Sequence, residues 1–70
     1  LSTDEGRLKR ENAQTLATVY HNLGRAYMLL NHKSSALKFL TESKNLQNTI
    51  YGEVAERTLL YIQECQNNNE

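Results

Sequence analysis

The chain of 70 residues contains no proline and no tryptophan, and only three glycines, one cysteine and one phenylalanine. Without proline nothing forces a helix to break, and so few glycines leave room for few tight turns. The lone Cys65 excludes an internal disulfide and a cage of thiolates around a metal. Its ordinary role is that of a small, half-buried hydrophobe near the end of a helix. No apolar run approaches the roughly 18 residues of a membrane span, so no transmembrane helix and no membrane partner are expected. Neither sign of charge is in excess, with eight Lys plus Arg against eight Asp plus Glu. That balance provides no electropositive field for nucleic acid and no acidic tail for a basic partner. No Asn-x-Ser/Thr sequon occurs, which together with the single cysteine fits an intracellular, cytoplasmic protein. The start Leu1-Ser2-Thr3-Asp4-Glu5 carries no Met, basic region or apolar leader, and reads as a segment of a longer protein.

The residues of chemistry are equally sparse. His21 and His32 fall on different segments, and no Cys or carboxylate completes a metal set around either. Ser34 and Ser35 are explained by helix capping, and nothing brings them together with a histidine and Asp4 as a triad. Gly6, Gly24 and Gly52 are isolated, so there is no phosphate-cradling loop. The basic run Arg7-Leu8-Lys9-Arg10 is diluted by Asp4, Glu5 and Glu11 and reads as a solvated helix face. A chain this short has little room to enclose a substrate pocket. No catalytic residue, metal site or cofactor is expected, and the chain is not read as an enzyme.

What is present is helical periodicity. Ala13, Leu16, Tyr20, Leu23, Tyr27 and Leu30 recur at steps of three and four, one stripe of a long first helix over about 7–30. Ser2 and Glu5 have capping-box spacing, while Gly6 argues for the later start. The same spacing is that of a coiled-coil seam, though over fewer than three heptads. Asn31-His32-Lys33-Ser34 forms a polar break. A second helix follows over about 34–47, capped by Ser34 or Ser35, with Ala36, Phe39, Leu40, Ser43 and Leu46 inward and Leu37 on the flank. A second break spans Asn48-Thr49-Ile50-Tyr51. The third helix, capped by Thr49, covers about 51–66 with Val54, Thr58, Tyr61 and Cys65 inward, widened by Ala55, Leu59 and Ile62. The polar tail from Gln66 to Glu70 should fray. No strand pattern survives. Short connections make consecutive helices antiparallel neighbours, giving an all-α, three-helix domain over 1–70.

Tyr20-x-x-Leu23-Gly24-x-x-Tyr27, followed after eight residues by Ala36-x-x-x-Leu40, resembles the tetratricopeptide repeat without a gap. The match covers residues 17–50. Gly24 costs about 1 kcal/mol mid-helix relative to alanine, which makes sense where a neighbouring helix must come close, with Ala36 as the small residue meeting it. Tyr20 stands for the family's Trp, Ser43 for a small Ala, and Asn48 for the closing Pro. Thirty-four residues on, Tyr20 and Tyr27 map to Val54 and Tyr61, but Leu23 and Gly24 map to Arg57 and Thr58. The resemblance therefore implies one helical hairpin of tetratricopeptide type plus a degenerate or capping third helix.

It also implies a function: a protein-binding scaffold or adaptor module holding a peptide or helix in the groove lined by the first helix. The groove residues would be Thr18, His21, Asn22, Arg25 and Leu29. Asn22 stands where some chaperone-binding members hold a peptide carboxylate, but the cations of that clamp come from neighbouring repeats. Arg25 would pair with an acidic ligand residue. Taken singly, His21, Arg25 and His32 are ordinary helix or turn residues. Two other readings remain open. One is an oligomerisation element in which the long first helix pairs with another chain or with neighbouring repeats. The other is a three-helix trafficking-type bundle like the microtubule-interacting and transport domain. Single repeats are seldom stable alone, and Leu29, Leu37, Leu59 and Ile62 form the apolar set left over for a partner.

Overall fold

The computed structural model describes the backbone of residues 2–67 and the side chains of residues 5–67. The Ser2 side chain of the expected capping box and the tail from Asn68 to Glu70 lie outside the described residues. Three helices account for the fold: α1 (Ser2–Leu29), α2 (Lys33–Tyr51) and α3 (Glu56–Asn67). The described residues are all helix and turn, with no strand, and no helix among them is long and apolar enough to cross a membrane.

The boundaries differ from the sequence expectations in ways the chain's chemistry explains. α1 begins at Ser2, well before residue 7, because polar residues with good helix propensity sustain a helix past a single glycine. It stops at Leu29 because Asn31 takes a left-handed conformation, φ 65°. The Asn31 N–H donates to Met28 O at 2.9 Å and the His32 N–H to Tyr27 O at 2.8 Å. This is a Schellman closure with Asn in the position glycine usually takes. The His32 ring meets the Tyr27 ring edge-on at 6.2 Å, supplying the contact that accompanies such a cap.

α2 starts after His32, not at Ser34 or Ser35, and has no side-chain cap. Both serines sit inside the first turn. The larger correction is at the other end. α2 does not stop at residue 47 but runs through the expected break to Tyr51, and Thr49 lies within it instead of capping α3. The true stop is Gly52, left-handed at φ 75°, whose N–H donates to Asn48 O at 2.9 Å. α3 consequently begins at Glu56, not 51. Its first turn is marked by a bond from the Leu59 N–H to Ala55 O at 3.3 Å and by the acidic Glu56.

Cross-helix contacts give the topology. Ser43 bonds to Ala17, and Phe39 packs on Tyr20 and Tyr27, so α1 and α2 run antiparallel. α3 returns along α2 beside α1, with Thr58 at His21.

Of the expected stripe, the face of α1 turned to α2 takes the tyrosines, with Tyr20 and Tyr27 stacked on Phe39, but not the leucines. Ala17 and Gly24 are its buried residues, and Leu16, Leu23 and Leu30 are exposed. At 100° per residue the contact line is turned by roughly 90° from the expected one. The cause is the close approach of the two backbones. A Cβ built on Gly24 would run into Leu40, lying 2.7 Å from its Cδ2, and would stand 3.3 Å from the Ala36 carbonyl oxygen. Only small residues fit on that line, so the leucines are displaced to its flank.

The core itself is small: Ala17, Ala36, Leu40, Ile62 and Cys65 are its buried apolar residues. Tyr27, Met28, Leu37 and Tyr61 pack around the Ala36–Leu40–Ile62–Cys65 cluster. Of the apolar set expected to be left over, Ile62 is therefore core and Leu37 half-buried against it, while Leu29 and Leu59 are exposed. Val54 and Ala55 precede α3 and do not form part of its inner face.

Candidate functional site

A cleft of about 310 Å³ opens where α1, the end of α2 and the start of α3 meet. Gln14, Thr18 and His21 of α1 form one wall, Tyr51 closes the end, and Arg57 and Thr58 of α3 form the other wall. No acidic residue lines it.

Its floor is a hydrogen-bonded network with Gln47 at the centre. The Ser43 hydroxyl, fully buried, donates to Ala17 O at 2.7 Å. The Gln47 amide donates to Ser43 Oγ and to Thr58 Oγ1, both at 3.0 Å. Its carbonyl oxygen accepts from the Ala55 N–H at 2.7 Å. One side chain thereby fastens three segments: the middle of α2, the linker and α3. No buried polar side-chain atom among the described residues lacks a partner, as a network in a low-dielectric interior requires.

His21 completes the network from α1. Its Nδ1 lies 3.0 Å from Thr58 Oγ1, and its ring stacks on Tyr61 at 5.5 Å. Thr58 Oγ1 accepts from Gln47 and keeps both its proton and a second lone pair, so it can donate to Nδ1 or accept from it according to the ring's tautomer. The electrostatics disfavour the charged ring. Burial, then the positive charges of Arg57 and Arg25, hold the His21 pKa below its ordinary value. At Cys65, burial and then the neighbouring Glu64 carboxylate push the thiol up, against a smaller opposing pull from Lys33. Such a thiol is poorly reactive.

The five residues expected to form a groove separate into two groups. Thr18 and His21 line the cleft, although the Thr18 hydroxyl is already bonded to Gln14 O at 3.1 Å. Arg25 is exposed near His21 and bears on its charge state. Asn22 is exposed and outside the cleft lining, and Leu29 is 78% exposed toward the far end of α1. His21 is more than a surface residue, because α3 covers one of its edges. Sequence reasoning missed Gln47, Tyr51 and Arg57. Gln47 follows Ser43 by four residues on the inward face of α2, a signal readable once α2 is extended to Gly52. Among the described residues no group of three or more His, Cys, Asp or Glu is arranged to hold a metal ion.

Compared with protein-family models, with curated proteins and with solved structures, the chain matches none.

Proposed function

We propose that this domain is a non-enzymatic protein-binding module of tetratricopeptide type that takes an acidic peptide segment of a partner in the α1–α3 cleft. The observation that carries this reading is the cleft itself: a preformed opening with Arg57 on its wall, Arg25 beside it and no carboxylate among its lining residues. A peptide carboxylate entering there meets two guanidiniums suited to forked hydrogen bonding, and Tyr51 offers an aromatic edge to an apolar neighbour. The repeat reading is supported by Gly24, at the position of the Leu-Gly signature, lying against Ala36 and Leu40. A hydrogen-bonded third helix beside α1 fits the closing helix that the reading requires. A free, buried Cys65 suits the cytoplasmic setting that accompanies it.

Selection of random peptides displayed on phage tests the proposal. Enrichment of Asp- and Glu-containing sequences is expected. Arg57→Glu and Arg25→Glu should each weaken the best binder by about 1 kcal/mol or more, roughly fivefold in Kd. Enrichment of no sequence class, or unchanged affinity in both variants, would remove the basis for this assignment.

A further inference from the structure

The side of α1 turned away from α3 carries an exposed apolar stripe. Leu16, Val19, Leu23, Ala26 and Leu30 follow one another at steps of three, four, three and four, the spacing of a coiled-coil seam. All five are exposed in the folded chain, Leu30 at 65%. Thr15, Asn22 and Leu29 flank the seam on one side, and Tyr20 and Tyr27, stacked on Phe39 of α2, on the other. Neither seam nor flanks carry a charge, since Arg25 is the one Asp, Glu, Lys or Arg residue between Thr15 and Leu30 and stands off the seam.

We propose that this face docks a second copy of the chain, α1 against α1, in an antiparallel two-fold dimer. Three observations select that occupant. First, an uncharged seam neither repels its own copy nor presents a charge pattern that would choose a different chain. Second, the face is about 21 Å long, and covering it with its flanks would bury at most on the order of 600 Å² per copy, the lower end of the range for specific interfaces and the scale of a weak, reversible dimer. Third, the residues are self-complementary in the antiparallel sense. A two-fold axis near residue 21 sets Leu16 across from the smaller Ala26, Val19 across from Leu23, and Leu30 at the end of the seam across from the uncharged Asn12. A parallel pair would instead align Lys9 with Lys9 and Glu5 with Glu5, which follow Asn12 at the same heptad positions toward the N-terminus. The α1–α3 cleft lies on another face of α1, so this dimer is independent of peptide binding there.

Sedimentation equilibrium over about 5–500 µM tests it, a range that spans affinities typical of small reversible interfaces. The weight-average mass should rise from 8.1 kDa toward twice that value. Leu23→Asp should hold the protein monomeric with an unchanged helical circular dichroism spectrum, and Val19→Lys, at the position across from Leu23 and 43% exposed in the folded chain, provides the same test with less risk to folding. Leu60→Asp, exposed on α3, should dimerise like the parent. Spin labels on Leu8→Cys, with Cys65→Ala, should lie roughly 40 Å apart in the antiparallel dimer and roughly 10 Å apart in a parallel one. A chain monomeric at all concentrations overturns the proposal, whether another partner covers the face or none does. Association unaffected by both Leu23→Asp and Val19→Lys overturns it as well, and a short label distance overturns the antiparallel arrangement.

Discussion

The two ends of the core are built on different principles. Toward the α1–α2 turn, Ala36, Leu40, Ile62 and Cys65 pack by shape, with Met28, Leu37 and the Tyr27 ring around them. Toward the α2–α3 turn, Ser43, Gln47 and Thr58 are buried instead, and His21 joins them by hydrogen bonding. The apolar end is held by non-directional burial, which tolerates exchange between residues of similar volume. The polar end has no such tolerance, because each buried donor or acceptor depends on one particular partner. In a core with so few large apolar residues, a directional network performs at one end what side-chain volume performs at the other.

Substitutions at each end should separate the two. The largest effect belongs to Gly24, where the helices are closest. Gly24→Leu should lower stability by about 3 kcal/mol or more through overpacking. Even Gly24→Ala should be net destabilising against Leu40, despite a helix-propensity gain of about 1 kcal/mol. Urea denaturation followed at 222 nm measures both, and an alanine variant more stable than the parent would show that the approach is looser than described.

Next comes Gln47→Met, which keeps the length of the side chain and removes its bonds. Leaving the Ala55 N–H and the neighbouring hydroxyls to fend for themselves should cost about 1–3 kcal/mol. Hydrogen exchange of the Ala55 amide should quicken with it, while amides around Leu40 keep their protection relative to global unfolding. Uniform loss at both ends would mean that they do not behave separately.

The smallest effect is a pH dependence at the polar end. The fold disfavours the charged form of His21, which takes up a proton more readily in the unfolded chain. Its contribution is therefore complete above the ordinary value of 6.5 and is lost as pH falls from there through the lowered folded value. His21→Gln should flatten that part of the profile. Urea midpoints at about pH 7.5 and 5.5, on either side of an ordinary histidine pKa, compare the two proteins. An equal acid loss in the variant would assign the slope to other groups.

The same division governs what could be read from the sequence. The three helices, the turn at Asn31-His32 and the meeting of Gly24 with Ala36 and Leu40 follow from local rules: periodicity, turn chemistry and the cost of a mid-helix glycine. The orientation of α1 did not follow, because hydrophobicity pointed to Leu16, Leu23 and Leu30, while close packing is decided by where side chains are absent. The end of α2 was misplaced because Asn48-Thr49-Ile50 has the composition of a break. The signal that mattered was Gly52, the residue able to take φ 75° without strain. Within the cleft, Thr18 and His21 were legible from their place on α1. Gln47 and Arg57 depend on how α3 lies across the pair, which no local pattern specifies.

α1 has 28 residues against 19 in α2, so its first turns project past the paired region. The particle measures 52 × 20 × 13 Å, and its radius of gyration is 13.5 Å, whereas a compact chain of this length has about 11 Å. A rod of these proportions meets more friction along its short axes than a sphere of equal mass. It therefore tumbles anisotropically and elutes from a sizing column ahead of its weight. A single copy already has the hydrodynamic signature of something larger, and only a measurement sensitive to mass itself distinguishes an elongated monomer from a pair.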